Sequence, residues 1–381
     1  MIKICIEGWR YINHSYAMVN QHQLIQLKKF PVYLKHKDIS YFNKQWNEKK
    51  NFNGFSKQDN EILRNIKSPE LDEIFDITYR VSFPYNFEKS NSKKLFVFGT
   101  SEYKNIDGHY INGNLKEKNS IENINIITPS KWSQEGFIKA GFKPEKVFIV
   151  PCGVDYNVFK SIDDNRKNEI KNKLGIKKED FVITSVGAMT GNKGIDYLLA
   201  AFLILRKKNT NLKLILKDQS NLYNIKAQIY LDKIRKTKYG NLIDSDELKN
   251  IFFISKNMDL STLNELYNIT DCYVSPYKAE GFNITPLEAA ASGTPIVVTK
   301  GGSTDDYFNS KLGLQIESEV IQKKSLTSLK PNMDSLVECI QTVIDNPNIY
   351  GKEKGSKFIK NNFSWYKATE KLYKIFMNNN D

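Results

Sequence analysis

The sequence predicts an α/β protein made of two Rossmann-like domains. Three observations predict it. Apolar runs of strand length alternate with longer segments of helical period. The alternation restarts after about residue 160, although no sequence repeat is visible. At 381 residues the chain is long enough for two ordinary domains of about 150–200 residues each.

The elements follow in order. "IKICIEG" reads as a strand, "SYAMVNQHQLIQLKKF" as a helix and "PVYLKH" as the next strand. "FDITYRV", "KLFVFGT" and "NINIITPS" continue the strands, and "KWSQEGFIKAGF" forms a helix before the strand "KVFIVPCGVD". The second round opens with "FVITSVGAM", the helix "KGIDYLLAAFLILRKK" and the strand "NLKLILKD". "NIFFIS", "LSTLNELYNIT", "DCYVSPY", "TPLEAAAS" and "TPIVVT" carry it on. In the last segment Trp365, Ala368, Leu372 and Phe376 recur at helical spacing behind Ser364 as N-cap. The seam falls near residues 152–165, giving an N-terminal domain over 1–158, a second over 159–362 and a helix over 363–381. Two polar Asn- and Lys-rich stretches, about 43–60 and 219–250, read as surface insertions.

Composition narrows the function classes. Hydrophobic content of 40% supports real cores and argues against wholesale disorder. The net charge of +13 divides almost evenly at residue 160, so it marks neither half as a nucleic-acid module. It suits an anionic small ligand or an acidic membrane surface. The four cysteines, Cys5, Cys152, Cys272 and Cys339, lie far apart without metal-ligand spacing, as expected of buried reduced thiols in a cytoplasmic protein. "MIKICIEGW" starts a strand at once, leaving no room for a signal peptide, and no apolar run reaches the roughly 18 residues that span a bilayer. The expected location is cytoplasmic, with peripheral contact at the inner membrane face left open.

The densest chemistry lies in "KAEGFNITPLEAAASGTPIVVTKGG", Lys278 to Gly302. Thr285 reads as an N-cap, Pro286 as the first helical residue and Gly293 as the residue past the C-terminus. The Gly281-Phe282-Asn283 turn then precedes a helix N-terminus, where free amides and the helix dipole favour a phosphate. Glu288 fits a capping box with Thr285, which competes with a ligand role. Glu280 has no such alternative. A carboxylate beside a phosphate seat suits the hydroxyl groups of a nucleotide joined to a sugar.

This stretch resembles the Glu-seven-residues-Glu signature of the retaining family-4 glycosyltransferases of GT-B fold. "NIITPSKWSQEGFIKAGFKPEKVFIVPCGVDYNVF", "FVITSVGAMTGNKGIDYLLAAF", "LSTLNELYNITDCYVSPY" and "FSW" resemble further segments of that family, from about residue 125 to the C-terminus. The resemblance implies two domains facing across a cleft, with the last helix crossing back to the first. It implies a nucleotide-diphosphate sugar donor, no cofactor, no metal, and transfer with retention to a glycan, lipid-linked or small-molecule acceptor. By the same carry-over Glu280 lies near the donor sugar and Glu288 binds ribose hydroxyls. Gly187, with the amides of Gly281, Phe282, Asn283 and Ile284, faces the diphosphate, and Lys193 binds it as a point charge. One departure stands out: the arginine common after the glycine equivalent to Gly187 is here Ala188.

The first domain offers fewer signals. "EGWRYINHSYAMVN" places His14 and Ser15 where a strand end meets a helix, the loop that approaches the donor phosphates and acceptor in the family. A lone His in such a loop is also commonly just solvated. "FGTSEYKNIDGHY" holds Glu102 and His109 after another strand, and Arg80 ends a third. His14 and Glu102 are the catalytic candidates here; Ser15, Arg80 and His109 are acceptor-binding candidates, with Glu102 ranked above Arg80 and His109.

Three other readings compete. Asp244-Ser245-Asp246 matches the metal-holding Asp-x-Asp of GT-A enzymes, but it lies in a polar insertion, so no metal is expected. DNA-modifying glucosyltransferases and nucleotide-sugar epimerases share the two-domain layout; without a basic stripe, a nucleic-acid partner is disfavoured. Ala188 leaves a non-catalytic nucleotide-sugar-binding protein open.

Overall fold

The computed structural model describes residues 1–106, 111–112 and 124–378. The chain divides into two compact units, Met1–Gly153 with Phe363–Asp381, and Val154–Asn362.

The first unit is built on a six-stranded sheet. Its elements are β1 (Ile2–Gly8), α1 (Ser15–Leu27), β2 (Val32–Asp38), α2 (Lys57–Arg64), β3 (Phe75–Val81), β4 (Tyr85–Asn86), β5 (Ser92–Phe98), β6 (Ile111–Asn112), β7 (Asn125–Thr128), α3 (Lys131–Lys139) and β8 (Val147–Ile149). The sheet order is β2-β1-β3-β5-β7-β8, all parallel. Parallel strands are covered on both faces, and β3 and β7 are accordingly buried along almost their whole length. The C-terminal helix (Trp365–Asn378) belongs to this unit and packs on α1. Trp365 stacks on His22 with ring centroids 4.6 Å apart, and Phe376 meets Tyr79 and Phe96 edge-on. Ser364 caps it through the Lys367 amide at 3.2 Å, and Trp365, Ala368, Leu372 and Phe376 are its buried stripe.

The second unit runs through α4 (Asp164–Lys173), β9 (Phe181–Val186), α5 (Ile195–Arg206), β10 (Leu212–Lys217), α6 (Ser220–Tyr223), α7 (Ile229–Arg235), α8 (Ser245–Leu248), β11 (Ile251–Ile254), α9 (Leu260–Asn268), β12 (Cys272–Ser275), α10 (Ile284–Ala291), β13 (Ile296–Thr299), β14 (Gly313–Ile316), β15 (Ser318–Lys323), β16 (Leu326–Pro331), α11 (Met333–Asp345) and α12 (Lys352–Asn362). Its parallel sheet has the order β11-β10-β9-β12-β13-β14. The chain leaves β9 toward one edge and returns at β12 toward the other. That reversal opens a crevice at the carboxyl ends of β9 and β12, where ligands of such sheets bind. One sheet face packs Leu212, Leu214, Leu216 and Val274 against α5, α7 and α11; α9 and α10 do not join that cluster.

The two polar stretches are not loose insertions. Trp46, Asn51 and Asn53 are buried, and Asn53 donates to Gln21 at 2.7 Å and to Asn60 at 2.9 Å. Ala227, Tyr230 and Ile234 enter the second core. In the first stretch Asn47, Asn51, Asn53 and Asn60 bond one another and the backbone, so polarity there did not mean solvation. The four cysteines are free and buried. Among the described residues no helix is long and apolar enough to cross a membrane.

Candidate nucleotide-sugar site

Two loops frame the crevice of the second unit. After β9 the chain turns at Gly187 (φ 146°), runs through a short 3-10 turn, Gly191–Lys193, and enters α5 from Gly194 (φ 69°). After β12 it runs from Pro276 to Asn283 and enters α10. The amide of Lys278 donates to the Asn192 carbonyl at 2.6 Å, and Asn192 Nδ2 donates to the Ala279 carbonyl at 2.9 Å. Lys278 Nζ bonds both oxygens of Asp196, at 3.1 and 2.9 Å. A Cβ on Gly194 would stand 1.9 Å from the Pro276 carbonyl, so the loops touch through bare backbone.

Within this frame Lys193 and Glu280 form an ion pair, with side chains 22% and 7% exposed. Glu280 is thus held inside the crevice by a cation. Gly187 lies at the same place, for a Cβ there would sit 3.8 Å from Lys193 Nζ.

The start of α10 differs from the sequence expectation. The N-cap is Asn283 at φ 65°, not Thr285, and the helix begins at Ile284 rather than Pro286. Asn tolerates this left-handed conformation, and Pro286 still sits in the first turn, where no amide bond is lost. Asn283 makes no capping bond with its side chain; Nδ2 donates instead to Ser275 Oγ at 2.9 Å. Its carbonyl accepts from Tyr307 at 2.8 Å, and Phe282 packs on the Tyr307 ring. Thr285 accepts from the Tyr273 hydroxyl at 2.7 Å. The capping box is therefore absent. Both α5 and α10 enter the crevice from left-handed residues that provide no side-chain cap, so their first-turn amides and positive dipole ends are turned to it.

Glu288 lies deeper on α10, where it accepts a hydrogen bond from Tyr267 at 2.9 Å. Burial pushes its carboxyl up to about 8, against the opposing pull of that bond. The protonated carboxyl is thereby favoured.

In the first unit the structure sorts the candidates. His14 is not solvated: it is buried as the N-cap of α1, accepting from the Tyr16 amide at 3.2 Å through Nδ1. Trp9 and Trp46 pack against its ring at 5.1 and 5.0 Å. Burial lowers its pKa to about 3, so the imidazole stays neutral. With Nδ1 accepting, the proton resides on Nε2. Ser15 is exposed in the first turn of α1. Tyr16 bonds Thr100 Oγ1 at 3.1 Å, drawing the loop after β5, which carries the half-buried Glu102, to the start of α1. The Glu102 carbonyl accepts from the Trp132 indole at 2.7 Å.

Arg80 departs from its expected role. It is buried and spends its donors on Glu7 at 2.6 Å and on the carbonyls of Asn86 and Glu88 at 3.1 and 2.6 Å. It braces the sheet end rather than presenting a free guanidinium. His109 lies outside the described residues. Asp244 caps α8, accepting from the amides of Asp246 and Glu247. Lys217, buried at the end of β10 with its ammonium on the Asp218 carbonyl, is a charged residue that the sequence reading passed over; its only sequence signal is a charge ending an apolar strand.

Comparison with known proteins places this geometry. The family described as glycosyl transferases group 1 matches residues 166–365, over half of the chain and both crevice loops. The chain belongs to the glycosyl transferases group 1 family. Mannosylfructose-phosphate synthase of Agrobacterium fabrum is 27% identical over 162 residues, 42% of this chain and 34% of that protein. The capsular polysaccharide biosynthesis glycosyltransferase CapM of Staphylococcus aureus is 24% identical over 237 residues, 59% of this chain and 53% of CapM. This glycosyl transferases group 1 chain thus spans from about a third to about half of those relatives. Its fold matches sucrose-phosphate synthase from Thermosynechococcus elongatus at a TM-score of 0.68 and 13% identity, over 99% of both chains. Anabaena HepE in complex with UDP and glucose matches at 0.67 and 13% identity, over 99% of this chain and 100% of HepE. The two parallel-sheet units are those of GT-B glycosyltransferases.

Proposed function

We propose that this family member is a glycosyltransferase that takes a sugar from a nucleotide-diphosphate donor. In this reading the donor lies in the crevice of the second unit, and transfer to an acceptor hydroxyl proceeds with retention and without a metal. The observation that carries the reading is the Lys193–Glu280 pair set before two uncapped helix N-termini. A cation and converging amides suit a diphosphate, while the adjoining carboxylate suits sugar hydroxyls. That a structural neighbour binds UDP and glucose supports the same assignment.

The chemistry then divides among the residues. Lys193, the amides at the start of α10 and the helix dipole stabilise the charge that grows on the diphosphate as its bond to the anomeric carbon breaks. The acceptor oxygen bonds to that carbon from the same face, and its proton passes to the departing diphosphate oxygen. Glu280 orients the sugar through its hydroxyls, and Glu288 holds the ribose. In the first unit His14, Glu102 and Ser15 contribute to holding the acceptor. A neutral imidazole pushed down to about 3 acts as a donor, not as a general base. The acceptor class is a glycan, a lipid-linked sugar or a small molecule.

Melting-temperature shifts against UDP-, GDP- and ADP-sugars test the reading, since a ligand bound only by the folded state raises the transition. A shift with one base series, followed by hydrolysis or transfer of that donor, is expected. No shift with any of them, at millimolar ligand, rejects it.

A further inference from the structure

A cavity of about 410 Å³ lies beside α5 in the second unit. The first turns of α5, the Tyr239 turn after α7, the β15–β16 hairpin and the start of α11 bound it. Small-molecule sites run from roughly 300 to 1,000 Å³, so it is large enough to be one. Its floor is apolar, formed by Ala200, Ile234 and Met333. Tyr197 and Tyr239 add two aromatic rings, both packed against the core of this unit. Asp196 and the exposed Glu319 and Lys330 supply a polar rim. None of these residues lies in the two crevice loops.

The rim charges answer one another. Asp196 is paired with Lys278 at 2.9 Å, and Glu319 with its cross-strand neighbour Lys330 at 3.5 Å. Matched charges of this kind do not select a phosphate or an ammonium ligand. The rings are held in place by lysines, Tyr197 by Lys278 at 5.0 Å and Tyr239 by Lys238 at 5.2 Å from the ring centroid. What the cavity offers is therefore an apolar floor, two aromatic rings and hydrogen-bonding groups of both signs around them. A pyranose ring has the complementary chemistry. Its C–H bonds project from the two faces of the ring and pack on apolar and aromatic surfaces, while its hydroxyls project from the edge, where a carboxylate accepts and an ammonium donates.

We infer that this cavity is a second saccharide site, taking one neutral sugar ring against Tyr197 and Tyr239 with its hydroxyls on the Glu319–Lys330 and Asp196–Lys278 pairs. The inference does not depend on what the crevice binds. The two places are nevertheless joined through Lys278. Its amide donates to the Asn192 carbonyl at 2.6 Å, and its own carbonyl accepts from the Leu329 amide of the hairpin at 2.7 Å. A glycan in the cavity is thus attached to the frame that spaces Lys193 and Glu280. The site keeps a glycan on the protein without occupying the crevice.

Saturation-transfer NMR with the methyl α- and β-glycosides of glucose, galactose, mannose and N-acetylglucosamine, titrated at millimolar concentration, tests it. The proteins compared are the wild type, Tyr239→Ala, Glu319→Ala and Glu280→Gln, each checked for folding by its melting transition. The wild type should bind at least one glycoside, and Glu280→Gln should bind it with the same Kd. In Tyr239→Ala and Glu319→Ala that Kd should rise at least about threefold, the loss of one stacking or hydrogen-bonding contact. Glu319 stands exposed on the hairpin, so its variant keeps the fold and remains decisive should Tyr239→Ala not fold. Silence of every glycoside with the wild type overturns the inference, as does an unchanged Kd in either folded cavity variant. A Kd that rises in Glu280→Gln puts the sugar in the crevice and overturns it too. None of these results bears on the crevice as a nucleotide site, which is read from nucleotide binding alone.

Discussion

Asn192 and Ala279 are joined across the crevice by a side-chain hydrogen bond of 2.9 Å, one residue before Lys193 in one loop and one before Glu280 in the other. With the Lys278–Asn192 backbone bond, it fixes the spacing of the two charged side chains. The pair is therefore set by backbone and amide contacts, not by its own attraction.

Lys193→Ala removes the point charge and leaves the buried Glu280 carboxylate without its cation. Calorimetry should show nucleoside-diphosphate affinity weakened by about 1–3 kcal/mol. The melting temperature should fall as well. Unchanged affinity in a folded variant counts against Lys193 as the phosphate ligand.

Glu280→Gln keeps the shape and removes the charge. Steady-state kinetics should show turnover falling more than nucleoside-diphosphate affinity, because the orienting contact is made to the sugar and not to the nucleotide. Proton NMR of the product of an α-linked donor should show an α linkage. A β linkage rejects retention even if transfer is confirmed.

Glu288 makes stability depend on pH. Its folded carboxyl titrates near 8, above its ordinary value of 4.5, so its contribution is fully present below pH 4.5. It is lost as pH rises toward about 8 and is flat beyond. Glu288→Gln should remove that slope, so denaturant titrations at pH 5 and 8 should show the variant gaining on the wild type at the higher pH. A relative loss at pH 8 contradicts the buried, protonated state.

Gly194→Ala and Gly191→Ala form a matched pair. The first forces a Cβ to 1.9 Å from the Pro276 carbonyl at a φ of 69°; the second meets nothing within 4 Å. Thermal melts should show Gly194→Ala destabilised by at least about 2 kcal/mol and Gly191→Ala within about 1 kcal/mol of the wild type. Equal melting would mean the loops do not touch there.

Strand and helix alternation was legible because parallel strands covered on both faces leave unbroken apolar runs, as in β12 and β13. The signature stretch also placed the turn before α10 and Gly293 after it within a few residues. What it could not reveal was the competition for Thr285, which Tyr273 from a neighbouring strand takes from the helix cap. The burial of His14 and Arg80 was equally hidden, since it depends on Trp46 and Glu7, distant in sequence. The asparagine-rich stretches misled for a related reason: amide side chains that look solvated one by one can satisfy each other once folded.

The return of Phe363–Asp381 to the first unit has a consequence for synthesis. Residues 154–362 form a contiguous unit that can close as soon as they leave the ribosome. The first unit must wait with α1 uncovered, because Trp365 and Phe376, which complete its core beside His22 and Tyr79, are made only after residues 154–362. The first unit is thus translated before the second yet becomes native after it, and a nascent chain stalled before residue 363 would present a finished second unit tethered to an open first one.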